Sequence, residues 1–495
     1  MAHTPDSFRS LREEMRQRYP LSGDGVSSVD WTNRVTETLG VVKRTSVYTC
    51  IHEVPNELRK VNKSAYRPRI VSIGPLHEGE HSQMDEHKWR YTLHLLQRRR
   101  GQDKIPDICK AIFDLEPQAR GSYAKTIKFN AFELAEILLV DGCFIIELFL
   151  RFSSMPFYKH NSDLIFRNAW MVPALRHDLQ LLENQIPFFV LEQLLEICVP
   201  CNLSHGSSLI RSDNIIDLAL LFFQLNMNQE VARGIHSKDV MHMLDLLHKY
   251  YLPPSPSGAP KDRQVRGFDL PTPYQRAPTR GFYLPTSHSW DPKDKETHGF
   301  KKCATKLLEA GIEIKKGTED HLLDIRFGNG VVMIPPFFIQ ETTESLLRNF
   351  IAYEQCNLGS SHHITSYAIL VKSLIHSSLD VELLEKKGII INELGGVEQV
   401  LNLFNNISRE VALKDFYFGE LCKDVNAHQN SWWHRVRHKA FWRVLWKRQM
   451  ASLKRNYFPN PWRTISVIAA VLLLFLTGLQ TIYTVRTFYN PSKNL

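Results

Sequence analysis

From residue 425 to the C-terminus the chain contains no Asp or Glu, yet eleven of its 61 Lys and Arg residues fall there. The remaining 50 basic residues face 52 acidic ones, so the formal charge of +9 belongs to the C-terminal segment and the bulk is close to neutral. That distribution excludes a basic nucleic-acid footprint on the bulk. Signature motifs are missing too. No G-x-x-x-x-G-K-[ST] loop, G-x-S-x-G elbow, kinase set or Rossmann glycine run occurs, and no bound cofactor is expected. The first twenty residues mix acids and arginines without an apolar stretch, which argues against a cleaved secretory signal.

Cysteine is also sparse. Eight in 495 residues imply no disulfide framework. Cys198 and Cys201 form a C-x-x-C with His205 four residues on, but no second C-x-x-C completes a zinc set. A redox motif would want a βαβ setting, whereas these cysteines close an apolar helical stretch beside a Pro. They read as small residues at a helix end, and no metal site is expected.

What the C-terminal region has in place of acids is a run of 22 uncharged residues, 464–485, closed by Arg463 and Arg486. As a helix rising 1.5 Å per residue it is about 33 Å long, enough for a ~30 Å hydrocarbon core. This predicts a single C-terminal transmembrane helix with the short tail 486–495 after it. Nine of the eleven basic charges precede the run, so the positive-inside rule places the bulk in the cytosol, as a tail-anchored protein of the plasma membrane or an endomembrane. Three N-x-S sequons, at Asn62, Asn202 and Asn406, would carry glycan if the bulk were extracellular.

The segment 425–463 interleaves aromatic and basic side chains. Trp432, Trp433, Trp442 and Trp446 alternate with Arg435, Arg437, Lys439, Arg443, Lys447 and Arg448. This suits a helix lying among anionic lipid headgroups, each cation contributing about 1 kcal/mol. Similar composition occurs on single-strand nucleic-acid surfaces, but adjacency to the apolar run favours lipid. His434 and His438 lack the Glu of a zinc-protease helix and sit among cations.

Elsewhere the pattern is helical. Residues 1–45 are polar and read as a disordered arm. Region 46–251 contains the apolar stretch 127–150, which reads as one core helix or as two joined near Asp141-Gly142. It also contains 174–199, where Pro187 suits the first turn of a new helix, so two helices should meet at 184–186. Residues 252–299 hold nine prolines and a short duplication, RGFDLPT at 266–272 and RGFYLPT at 280–286, and read as a linker. Region 300–424 contains the clearest hairpin, 322–334, folded about Gly-Asn-Gly. Thr342 or Thr343 can cap the helix that follows.

Four polar residues in apolar surroundings are the candidates for chemistry: His77 in a Gly-Pro loop, Asp141, Asp178 and Glu183. Buried acids can have raised pKa values and act as general acids. Equally, a buried charge must be paired, and helix capping or pairing with Arg accounts for them. A converging cavity would favour the first account, and carboxylates each tied to a cation or a helix end the second.

The stretches IHEVPNELRKVNKSAYRPRIVSIGPLHEG (51–79), DGCFIIELF (141–149), DLQLLENQIPFFVLEQL (178–194), LLDIRF, IPPFFI and TTESLLRNFIAYEQC, in this order, resemble the plant DUF247 family, also called UPF0481. The likeness runs over about 47–485 and omits the arm and the Pro-rich linker. Glu78 departs from it, standing where the family usually has a second His. The resemblance implies a plant protein with a helical domain and a C-terminal membrane helix, of a family without an established enzymatic activity, some of whose grass members are implicated in pollen self-incompatibility. The expectation is therefore a mainly α fold with one small β-hairpin element and a transmembrane helix. Its expected role is a protein-recognition or signalling adaptor with a protein partner. The alternative is a membrane-associated hydrolase or transferase using buried carboxylates.

Overall fold

The computed structural model describes residues 49–98, 105–154, 163–199, 214–225, 234–253, 298–318, 321–357, 362–413 and 415–436, with short pieces at 32–33, 35–36, 472–473 and 475–481. The first half is helical: α1 (Asn56–Val61), α2 (Asp85–Arg98), α3 (Ile105–Gly121), α4 (Ala131–Ser154), α5 (Leu164–Arg167), α6 (Met171–Leu179), α7 (Phe188–Cys198), α8 (Ile215–Phe222) and α9 (Met243–Tyr251). The second half mixes helices and short strands: α10 (Ala304–Glu309), β1 (Glu313–Lys316), β2 (Arg326–Gly328), β3 (Val331–Ile334), β4 (Phe337–Ile339), α11 (Thr343–Cys356), α12 (His363–Leu374), α13 (Ser378–Lys386), β5 (Ile390–Asn392), α14 (Val397–Ile407) and α15 (Gly419–Val436).

Helix α4 is the axis of the first half. Its run from Cys143 to Phe149 is buried on every face, with α2, α3, α7 and α8 packed around it. The helix passes through Gly142 without a break. A Cβ there would collide with the end of the Leu194 side chain on α7, so the glycine serves helix contact rather than a joint. Pro187 separates two helices as expected, but they do not meet at 184–186: α6 ends at Leu179, and α7 begins at Phe188 with Pro187 at its N-cap rather than in its first turn.

In the second half, β3 pairs antiparallel with β2 across Asn329 and Gly330. Both turn residues have positive φ, 53° and 77°, as a tight two-residue hairpin turn requires. A third strand, β1, adds parallel to β3 with Ile314 opposite Val332. Pro335 and Pro336 end β3, and β4 then pairs parallel with β5. Thr342 stands at the N-cap of α11 without a side-chain capping bond, whereas Thr343 accepts the Gln340 amide on its hydroxyl.

The two halves share one continuous apolar core running from Cys50 to Val425. Asn349 on α11 stitches them together: its Oδ1 accepts the Leu182 amide at 2.9 Å, and its Nδ2 donates to the Ala65 carbonyl at 2.9 Å. Ser345, one turn earlier, donates to the same carbonyl.

The transmembrane helix expected over 464–485 is not supported. No helix among the described residues is long and apolar enough to cross a membrane. Within that range the longest described helical piece is 475–481, about 10 Å at 1.5 Å per residue against the ~30 Å of a hydrocarbon core. The other residues of the range, apart from 472–473, lie outside the described ones, as do nearly all of 1–45, the duplicated peptides of 266–286 and the tail 486–495.

Candidate functional site

Two of the four candidate residues, Asp178 and Asp141, act on one stretch of backbone. Residues 68–74 form an irregular segment that passes from the surface at Arg69 into the interior at 71–74 without a strand partner, so its buried amides need acceptors from side chains. Asp178, at the end of α6, accepts three of them: Arg69 at 2.7 Å, Ile70 at 2.8 Å and Val71 at 2.9 Å. Asn184 takes the Ile73 amide at 2.7 Å and returns a donor to the Val71 carbonyl at 3.1 Å. Asp141, in the middle of α4, takes the Gly74 amide at 2.7 Å. The segment is thus clamped by side chains of the α6–α7 connection and of α4.

Gly74 has φ of 72°, and a Cβ there would run into the Gln185 carbonyl oxygen. Only glycine meets both conditions. Gln185 in turn fixes its own loop by donating to the Leu179 and Leu181 carbonyls and accepting the Leu244 amide. The tripeptide Glu183-Asn184-Gln185 is therefore a bracket: each side chain satisfies backbone groups on a different neighbouring element.

Glu183 accepts the Val54 amide at 2.7 Å and pairs with Arg59 of α1. His77 meets it from the other side, with Nε2 3.4 Å from Glu183 and Nδ1 3.2 Å from Glu80. These are ion-pair separations without hydrogen-bond geometry. Burial alone would lower the His77 pKa, but Glu183 and Glu80 outweigh it and raise it. Burial would raise Glu183, yet His77, Arg59 and the Val54 amide together hold it below the usual carboxylate range.

Asp141 also faces Lys88 of α2 at 2.7 Å, with both side chains almost fully buried. Burial raises the Asp141 pKa, opposed by the Lys88 ammonium and the Gly74 amide. His177 completes the set by approaching Asp178 through Nδ1 at 2.9 Å. Asp141, Asp178 and Glu183 are thus each bound to amides, and Asp141 and Glu183 to cations as well. Asp141 and Asp178 hold the 68–74 segment, whereas Glu183 holds Val54 and meets His77.

Sequence reasoning missed a second buried system linking the halves. Glu354 on α11 accepts the Ile364 and Thr365 amides at 2.9 and 2.8 Å, capping α12, and meets His248 of α9 at 2.8 Å. Asp245 on α9 binds the Tyr353 hydroxyl at 2.8 Å and pairs with Lys249. His242 donates from Nε2 to the Cys50 carbonyl at 3.2 Å and accepts the Asp245 amide on Nδ1 at 3.3 Å, and burial lowers its pKa to about 4. Their only sequence signal is polarity inside an apolar helix pattern, and nothing local identifies a partner about a hundred residues away.

A cleft of about 380 Å³ lies elsewhere, between α6, the end of α8, α9, β4 and the first turns of α11. Its apolar wall includes Leu247, Tyr251, Phe337, Leu346 and Phe350, and Arg176 stands among them. None of the four candidate residues lines it. No group of three or more His, Cys, Asp or Glu among the described residues is arranged to hold a metal ion. Cys198 is buried at the end of α7, while Cys201 and His205 lie outside the described residues. Of the basic-aromatic set, Trp432, Trp433 and Arg435 fall within α15, and Arg437, Lys439, Trp442, Arg443, Trp446, Lys447 and Arg448 lie outside the described residues.

These features define a helix-rich, single-core protein organised around a side-chain-clamped loop. The chain belongs to the DUF247 family, described as a plant protein of unknown function, whose model matches residues 51–476. It is similar to UPF0481 protein At3g47200 of Arabidopsis thaliana, 29% identical over 462 residues, covering 90% of this chain and 88% of the relative. It also resembles the putative UPF0481 protein At3g02645 of the same plant, 24% identical over 499 residues, with 88% and 90% covered. No solved structure matches.

Proposed function

We propose that this chain is a protein-recognition module of the adaptor kind, in which His77, Asp141, Asp178 and Glu183 are architecture and the contact chemistry lies on outward-facing apolar side chains. The observation that carries this reading is the engagement of all three carboxylates by backbone amides, Asp178 and Asp141 on the 68–74 segment and Glu183 at Val54. A general acid or nucleophile must meet a substrate, and each of these groups is buried with its lone pairs committed to the fold. The hydrolase or transferase reading gains no support from that placement.

Apolar groups on the surface support the recognition reading. Trp89 and Leu93 sit four residues apart on α2, each half exposed, and so share one helix face. Phe132 at the start of α4 is 75% exposed and stacks on Phe113 with ring centroids 4.8 Å apart. Clustered aromatic and aliphatic side chains left in water are characteristic of contact surfaces. The test is crosslinking of the tagged full chain in plant tissue, comparing wild type with Trp89→Ser/Leu93→Ser and with Phe132→Ser. The reading predicts a defined crosslinked partner that one of these variants loses while its melting temperature is unchanged. Identical crosslinked species from all three proteins would contradict it.

A further inference from the structure

We infer that the cleft around Arg176 binds a small amphipathic carboxylate, its acid group on the guanidinium and its apolar body against Tyr251, Phe337, Leu346 and Phe350. The inference stands on this cleft alone and goes beyond the recognition reading. At about 380 Å³ the cleft is within the range that encloses small organic ligands. Its lining is mainly aromatic and aliphatic, and the polar remainder, Arg176, Gln180, Gln224, Gln340, Thr342 and Thr343, supplies groups that can orient a ligand.

Arg176 is the feature that selects the ligand. It is half-buried, and it forms no ion pair among the described residues, unlike the buried Lys88 and the half-buried Arg151. Burial lowers its pKa, with no carboxylate acting to raise it. The guanidinium is held in place all the same. Nε donates to the Phe222 carbonyl at 2.7 Å, Nη1 donates to Gln224 Oε1 at 3.1 Å, and the rings of Phe152 and Phe222 flank it at 5.3 and 5.5 Å. Two of its five N–H groups are used in these bonds, leaving donors for a planar anion.

Gln224, which positions Nη1 and lines the same cleft, has φ of 57°. A non-glycine residue in that region carries strain, and such strain concentrates at ligand-binding positions. A fixed cation with no ion pair among the described residues, set beside an apolar wall, is complementary to a molecule with one anionic end and one apolar end. A carboxylate fits the planar fork of Arg better than a sulfonate or a lone halide.

The experiment is isothermal titration calorimetry on the full chain with 2-naphthoate and decanoate, against 2-naphthalenemethanol and 1-decanol as uncharged analogues. The two acids separate a flat aromatic body from a flexible acyl chain. At least one acid is expected to bind ten-fold or more tightly than its alcohol, and Arg176→Gln is expected to abolish that preference. Leu346→Trp, which fills the cleft and leaves Arg176 in place, is expected to remove binding of acid and alcohol alike. Circular dichroism melts establish that the variants are folded. If Arg176→Gln does not fold, the acid–alcohol comparison and Leu346→Trp still decide. Equal affinity for acid and alcohol, binding that survives Leu346→Trp, or no binding of either acid to the wild type overturns the assignment.

Discussion

The Asp178 carboxylate accepts the backbone amide of Val71 at 2.9 Å across 107 residues of sequence. With Arg69 and Ile70 it serves three consecutive amides of a segment that has no strand neighbour. Removing the carboxylate leaves these donors without their acceptor, at about 1–3 kcal/mol for each one buried. Asp178→Ala is therefore expected to lower unfolding stability by several kcal/mol in a urea titration. Hydrogen exchange at Arg69, Ile70 and Val71 should accelerate more than at amides within α4.

Lys88 and Asp141 form a pair withdrawn from water on α2 and α4. Breaking such a pair from one side costs roughly 3–5 kcal/mol, because a buried charge is left alone. Lys88→Met is expected to cost that much. Adding Asp141→Asn should recover part of the loss, since the amide oxygen can still accept from Gly74. A double-mutant cycle in urea measures both.

Gly74 combines a left-handed backbone with a close approach to the Gln185 carbonyl. Gly74→Ala should destabilise the fold by about 2 kcal/mol or more, whereas Gly79→Ala, with open space around it, meets only the strain of positive φ, about 1 kcal/mol. Thermal melts of the two variants separate the contribution of the close approach from that of the backbone.

The pH dependence has a definite sign. His242 is neutral when folded, with its pKa lowered to about 4 from an ordinary 6.5 chiefly by burial. Between those values the unfolded chain binds the extra proton, so stability falls as the pH drops from 6.5 toward 4, by roughly 3 kcal/mol from this residue. Glu183, Asp245 and Glu354 have depressed values, so their contribution is present above the ordinary carboxylate range and is lost as the pH falls further. His77 runs the other way: its raised value stabilises the fold below about 6.5, and that contribution is lost as pH rises through the folded value. Urea titrations from pH 4 to 8 should show the first loss, and His242→Gln should flatten the slope between 4 and 6.5.

The cationic aromatic stretch 432–448 is expected to bind anionic lipid. Full-length protein should co-sediment with phosphatidylserine vesicles more than with phosphatidylcholine vesicles, and the difference should shrink as salt is raised.

The helices were legible because their apolar pattern is local: the stretch 127–150 falls largely on α4, Ala131–Ser154, and Pro187 marks where α7 begins. The β2–β3 turn was legible because Asn329 and Gly330 supply the positive φ that a tight hairpin needs. The short strands β1, β4 and β5 were not, since three or four residues carry no usable period and two of the pairings are parallel between distant segments. The four polar residues stood out by their apolar surroundings, but their role did not, because it depends on amides about 60 to 130 positions away. The Arg176 cleft is assembled from six separate elements, and no window of sequence contains it. The apolar run 464–485 shows the converse: length and hydropathy predicted a membrane span, and the structure supports none among the described residues.

The most direct test of the account is the melting temperature of three near-isosteric variants, Asp141→Asn, Asp178→Asn and Glu183→Gln. Groups kept for catalysis tend to be strained or ill-solvated, and neutralising them commonly leaves a fold unchanged or makes it more stable. Groups kept for architecture lose charge-assisted bonds that hold the fold together. The account predicts that all three variants melt below the wild type. A variant that melts at or above the wild-type temperature would contradict the assignment of that carboxylate to the scaffold and return it to the chemistry.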